Sequence, residues 1–294
     1  MSRFLTSLFI LIQYLLPHHG FSRLVAWFMG RRLWKNWLIR LFAKRYGVDF
    51  YEAERSEPED YASFNDFFTR RLKADARPLP QDAKVIISPA DGAISQLGKI
   101  NGQQIFQAKG HDYSCAALLA SDEETAAQFS NGFFATIYLS PRDYHRVHMP
   151  FTGKLKRMTY VPGSLFSVNT ATTEAIPGLF ARNERVVCLF DTDLGPMAVI
   201  LVGAMIVASI ETSWAGQICP GRHSATVDHT DYCGDEEKIV LNTGDELGLF
   251  KVGSTAIVLF PEATVEPEAT LKAASEIQMG QALARVTDTA NISN

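Results

Sequence analysis

The sequence predicts an α+β protein: N-terminal amphipathic helices that contact a membrane, followed by a β-rich body of sandwich or barrel-like form. Two patterns carry this expectation. Before residue 50, apolar residues recur at helical three- and four-residue steps; beyond Pro80 they gather in short β-rich runs divided by Gly, Pro and Asp. Charge separates the same two regions. Residues 1–50 hold eight Lys and Arg against the single acid Asp49, a charge of +7, so the remaining residues carry −11 within a net charge of −4. With 294 residues, 47% of them hydrophobic, the chain can bury a sizeable core. The asymmetry excludes a uniformly basic nucleic-acid binder, and nucleic acid is not expected as a partner.

The apolar run from Phe4 to Leu16 is closed by Pro17 and is shorter than the roughly 20 residues a spanning helix needs. Arg3 ahead of it would suit a signal peptide, but Pro17-His18-His19-Gly20 offers no small-residue cleavage pattern. Further on, Leu33, Trp34, Trp37, Leu38, Leu41 and Phe42 interleave with Arg31, Arg32, Lys35, Arg40 and Lys44, the pattern of an amphipathic helix with a cationic face. Tryptophan beside basic residues suits a headgroup boundary, where each Lys or Arg gains about 1 kcal/mol near anionic lipid. A helix packed on the body with a solvated basic face has the same pattern. The division expected is a membrane-association region over 1–50 and a body over 51–294.

An acidic connector from Glu52 to Asp60 leads to Ser63-Phe64-Asn65-Asp66, a helix start with Ser63 as N-cap. That helix is expected to run to about Lys73, before Arg77-Pro78-Leu79-Pro80. Strands are expected over Lys84–Ser88, Phe133–Ser140, Gly153–Val161, Arg185–Asp191, Met197–Ile210 and Thr255–Phe260, with a loop over Glu262–Glu268. Cys115, Cys188, Cys219 and Cys233 show no paired spacing, so neither a zinc ribbon nor a disulfide framework is indicated, and a reducing compartment is the simpler expectation.

Three segments concentrate reactive side chains. Ser88-Pro89-Ala90-Asp91-Gly92 puts Asp91 on a tight turn at a strand end, although Asp-Gly is first of all a turn signal. Pro141 to His148 supplies His145 and His148; no third ligand accompanies them, so no metal is expected and acid–base work is the better use. Phe250-Lys251-Val252-Gly253-Ser254-Thr255 places a Gly before a Ser between two β-like runs, where the backbone can bend to bring the hydroxyl to the preceding carbonyl. Ser254, a histidine and Asp91 could assemble in space as a triad, which spacing alone leaves open.

Together these segments resemble the bacterial membrane-associated branch of the phosphatidylserine decarboxylase proenzyme family. The motifs are S-P-A-D-G (88–92), P-R-D-Y-H-R-V-H-M-P (141–150) and F-K-V-G-S-T (250–255), joined by S-F-N-D-F-F-T-R (63–70), P-G-S-L-F-S-V-N (162–169) and I-E-T-S-W-A-G (210–216). The resemblance implies autocatalytic cleavage between Gly253 and Ser254 into a β chain, 1–253, and an α chain, 254–294. Ser254 would become a covalent pyruvoyl group, the cofactor. His148 matches the base and Asp91 the orienting carboxylate of the self-cleavage triad, and His145 matches the proton donor of decarboxylation. Phosphatidylserine would condense with the pyruvoyl carbonyl as an imine, lose CO2 and leave as phosphatidylethanolamine, an activity in phospholipid biosynthesis.

The Pro162–Asn169 loop is a further candidate, holding the lipid phosphate through Ser167 and Asn169 or serving only as a turn. The enzyme would sit peripherally on the cytoplasmic face of the cell membrane, with an anionic surface as partner; a homo-oligomer is left open. Two departures stand out: Val252 replaces the usual Leu before the scissile pair, and His111 is an additional histidine, best read as a surface or turn residue. The alternatives are a serine hydrolase using Ser254, His148 and Asp91 without self-cleavage, for which no G-x-S-x-G elbow is present, and a non-catalytic membrane-tethered β-domain.

Overall fold

The computed structural model describes residues 3–108, 110–205, 209–219, 226–232, 234, 238–251 and 254–288. Three helices form the head: α1 (Arg3–Leu15), α2 (His18–Met29) and α3 (Lys35–Tyr46). Pro17 separates the first two, and Gly47, at φ 71°, closes the third by donating its N–H to the Ala43 carbonyl. The apolar residues of α3 divide between two surfaces. Ile39 and Ala43 are buried with Leu38 and Phe42 against them, whereas Trp37 and Leu41 remain exposed; Leu33 and Trp34, expected within the helix, precede it, with Trp34 in the left-handed region at φ 66°, and are exposed too. Helices α1 and α2 likewise expose Leu11, Leu15, Leu24, Trp27 and Phe28. No helix among the described residues is long and apolar enough to cross a membrane.

Ser63 caps α4 (Phe64–Phe68), its Oγ accepting from the Asp66 N–H at 3.2 Å. The helix stops at Phe68, short of the expected Lys73, because the following residues pair with the acidic connector. Glu54 N–H donates to Arg71 O and Lys73 N–H to Glu52 O, both at 2.9 Å, around an Ala53–Leu72 bridge. Phe64, Phe67 and Phe68 fill a small aromatic core with Ile39, Val48 and Tyr61 that seats α3 on the body. Each buried ring contributes about 1.5–3 kcal/mol.

The body is built on a nine-stranded antiparallel sheet. Its order is Asp228–Asp231, Gly153–Val161, Arg185–Thr192, Gly195–Gly203, Ser254–Phe260, Phe133–Leu139, Gly92–Lys99 and Glu276–Ile277, with Val240–Leu241 also on Gly153–Val161. Four- and three-stranded sheets pack with it as a sandwich. The barrel half of the expectation gives way, since among the described residues the sheet's outer strands find no partner across the fold. The run expected over Met197–Ile210 divides into Gly195–Gly203 and Ile210–Thr212, which lie in different sheets. The loop expected over Glu262–Glu268 contains a strand, Val265–Pro267, against Ala282–Val286. It is an edge strand, where the missing proline N–H costs nothing.

The central strand, Ser254–Phe260, is buried throughout, and its first residue is in register with Gly203 on one side and Leu139 on the other. Ala93 lies opposite Tyr138 on the next strand. The same end of the sheet therefore gathers Ser254, the turn after Leu139 and the Asp91-Gly92 turn, within about 10 Å at the usual strand spacing. A Cβ on Gly92 would stand 2.2 Å from the Tyr138 carbonyl oxygen, so this close approach requires glycine.

Candidate active site

Asp143 turns the chain at the end of Phe133–Leu139, its Oδ2 accepting from the Ser140 N–H at 2.7 Å. The next residues present His145, and the strand Arg146–His148 pairs with Glu246–Phe250. The His145 ring is fully buried, and its Nδ1 lies 2.8 Å from the Asp143 carbonyl oxygen. A carbonyl only accepts, so Nδ1 carries the proton and Nε2 keeps a lone pair. That Nε2 is buried without a hydrogen-bond partner among the described residues, and the Phe68 ring lies 4.1 Å from the imidazole centroid to centroid. Burial pushes the His145 imidazole down to about 3, against the raising effect of the Asp143 carbonyl, and the Arg70 charge lowers it further.

His148 has the same tautomer for the same reason: Nδ1–H donates to Gly244 O at 2.8 Å, and Nε2 accepts from the Tyr144 hydroxyl at 3.0 Å. Burial lowers its pKa, outweighing the Gly244 bond and the fields of Glu246 and Asp91, which raise it. Its backbone N–H donates to Pro89 O at 2.8 Å, tying the histidine strand to the 88–92 turn. Ser88 closes that turn by donating its hydroxyl to Ala90 O at 2.8 Å. The Asp91 carboxylate accepts from Arg77 Nε (3.0 Å) and Nη2 (2.6 Å) and from the Met279 N–H (2.8 Å). Asp91 therefore meets Arg77 rather than the His148 ring, on which it acts through its field.

Ser254 is fully buried, and its Oγ has no hydrogen-bond partner among the described residues; the Thr255 hydroxyl shares that condition. An unpaired buried hydroxyl costs about 1–3 kcal/mol, so such a group calls for an explanation. Val252 and Gly253, the expected upstream side of the scissile peptide, lie outside the described residues.

A family model described as Phosphatidylserine decarboxylase matches residues 64–285, and a second, described as PSD, matches residues 8–47. The chain is 57% identical over 283 residues to the phosphatidylserine decarboxylase proenzyme of Pseudomonas aeruginosa (strain LESB58), covering 96% of this chain and 98% of that one. This chain belongs to the phosphatidylserine decarboxylase family. The corresponding proenzyme of Saccharophagus degradans is 55% identical over 282 residues, 95% of this chain and 98% of that one. That of Alcanivorax borkumensis is 53% identical over 285 residues, 96% and 97% of the two chains.

Within this family member, the loop quoted for lipid binding has its polar groups engaged locally. Asn169 Oδ1 accepts from the Thr172 N–H at 3.1 Å as a helix cap, and its Nδ2 donates to Ser167 Oγ at 3.1 Å. Ser167 N–H donates to Gln13 Oε1 at 2.9 Å, and Leu165 N–H to His18 Nδ1 at 3.1 Å, so the loop is a docking surface for α1 and α2. His111 opens one strand of a separate hairpin, opposite Ala108. Four participants escaped the sequence reading: Arg77, Tyr144, Gly244 and Phe68. Tyr144 and Phe68 lie inside quoted motifs and could have been singled out as polar or aromatic neighbours of the histidines; nothing local marks Arg77 or Gly244.

Proposed function

We propose that this chain is a proenzyme that cuts itself between Gly253 and Ser254, converts Ser254 into a pyruvoyl group, and decarboxylates phosphatidylserine to phosphatidylethanolamine and CO2. The observation that carries the reading is the buried, unpartnered Ser254 hydroxyl at the sheet end that also holds His145, His148 and Asp91. That the relatives are named proenzymes supports it. The serine-hydrolase reading is weaker because Ser254 opens a fully buried strand instead of standing on an exposed elbow.

In self-cleavage, Ser254 Oγ attacks the Gly253 carbonyl and the Gly253–Ser254 amide gives way to an ester. His148 Nε2 takes the hydroxyl proton once it exchanges its bond from Tyr144. Loss of the Ser254 α-hydrogen then breaks the ester, leaving a carboxylate on Gly253 and dehydroalanine at 254, which water converts to the ketoacyl group with release of ammonia. The bare lone pair of His145 and the unfilled hydrogen-bonding capacity around Ser254 fit a reacting carbonyl there.

The pyruvoyl carbonyl supplies an attachment point for the substrate amine and an electron sink as CO2 departs. His145 enters uncharged, so its Nε2 takes a proton from the incoming ammonium and later returns it to the substrate α-carbon. Burial disfavours the charged imidazole, so a proton that Nε2 takes up is readily given on to carbon. The exposed apolar residues of α1 to α3, with the +7 charge of residues 1–50, hold the enzyme peripherally on an anionic membrane, on the cytoplasmic face.

The test is CO2 release from phosphatidylserine vesicles, read beside chain cleavage. Ser254→Ala should abolish both. His145→Ala should lose more activity than cleavage, and equal loss of the two would refute its assignment to decarboxylation.

A further inference from the structure

In the sequence Arg77 is simply the residue before Pro78. In the structure its side chain is 7% exposed and each of its nitrogens donates. Nε and Nη2 reach the two carboxylate oxygens of Asp91 at 3.0 and 2.6 Å, Nη2 also reaches Glu52 Oε2 at 2.8 Å, and Nη1 reaches the Ala76 carbonyl at 2.7 Å. The Asp91 side chain is itself 9% exposed, and its remaining bond comes from the Met279 N–H, downstream of the proposed cut.

We propose that Arg77 is the positioning residue of the self-cleavage centre, fixing Asp91 in the one orientation from which its charge serves His148. This rests on the self-cleavage reading above. A carboxylate on a turn rotates about its terminal bond, and two parallel N–H···O bonds from a planar guanidinium remove that freedom. A lysine would bring the same charge to a single point and leave the rotation. The Asp91 field favours the protonated His148 ring, the form that follows removal of the serine proton. Glu52 fixes Arg77 from the acidic connector, so the centre is aligned from the segment that joins the head to the body.

A purely structural ion pair would also bury these groups, so the test is chemical rescue. Arg77 and Asp91 line a cavity of about 450 Å³, room enough for a small guanidinium. The full-length chain and Arg77→Ala are synthesised in a cell-free system with phosphatidylserine vesicles, and the appearance of residues 254–294 is timed. Arg77→Ala should cut about tenfold more slowly or worse, the scale of losing a charge-assisted bond. Methylguanidinium should restore much of the rate and methylammonium should not. Cleavage at the parent rate, or slowed cleavage that methylguanidinium fails to restore preferentially, overturns the proposal. If Arg77→Ala does not fold, Arg77→Lys decides: slowing of similar size at an unchanged melting temperature supports the role, and the parent rate refutes it. A parent chain that never releases 254–294 would instead contradict self-cleavage itself.

Discussion

His145 and His148 hold their protons on the same ring nitrogen and differ in what meets the other: no hydrogen-bond partner among the described residues for His145, the Tyr144 hydroxyl for His148. Both imidazoles titrate below the ordinary histidine value of 6.5 because burial disfavours the charged ring. The folded chain then binds fewer protons than the unfolded one, so their contribution to stability is full above 6.5 and is lost as pH falls, down to about 3 for His145. The melting temperature of the uncut Ser254→Ala chain should therefore decline below about pH 6.5, and adding His145→Asn should make that decline shallower. An unchanged slope would mean that His145 is not held neutral by burial. The histidines themselves were legible, because they stand in one dense motif with Asp143 and Tyr144. Their proton states were not, because Phe68 and Gly244 come from distant segments.

Helix α3 was legible from its three- and four-residue periodicity, but periodicity does not say which apolar stripe turns inward. Ile39 and Ala43 meet the aromatic core, while Trp34 and Trp37 are 73% and 62% exposed. Replacing both tryptophans by Ala should weaken adsorption to anionic vesicles and leave the melting temperature nearly unchanged, since neither ring is in the core. Loss of stability without loss of adsorption would place them in packing. Helix α4 makes the opposite prediction. Phe68 is buried between the Phe42 ring and His145, so Phe68→Ala should cost about 3–5 kcal/mol in urea unfolding. By admitting water it should also raise the His145 titration toward 6.5, which imidazole NMR would follow. The early end of α4 was illegible because the strand partner that takes Leu72 is Ala53, in the connector.

At the scale of the whole molecule, the proposed cut would put the central strand of the main sheet in a different chain from its neighbours. Ser254–Phe260 pairs with Phe133–Leu139 and Gly195–Gly203, and Ala282–Val286 pairs with Val85–Ile87. The two products should therefore elute as one species in native buffer and separate only in denaturant; a free 254–294 peptide in native buffer would contradict this interleaving. The N-terminal helices and the β-rich body that follows them were legible from periodicity. Strand order was not, since the Ser254 strand joins partners more than 50 residues away in the chain. The central claim is that this chain makes its own reactive carbonyl, and the mass of the denatured protein tests it most directly. The account predicts two chains, 1–253 and 254–294, the shorter beginning with a carbonyl that reacts with hydrazine. A single intact chain that still decarboxylates phosphatidylserine would contradict it.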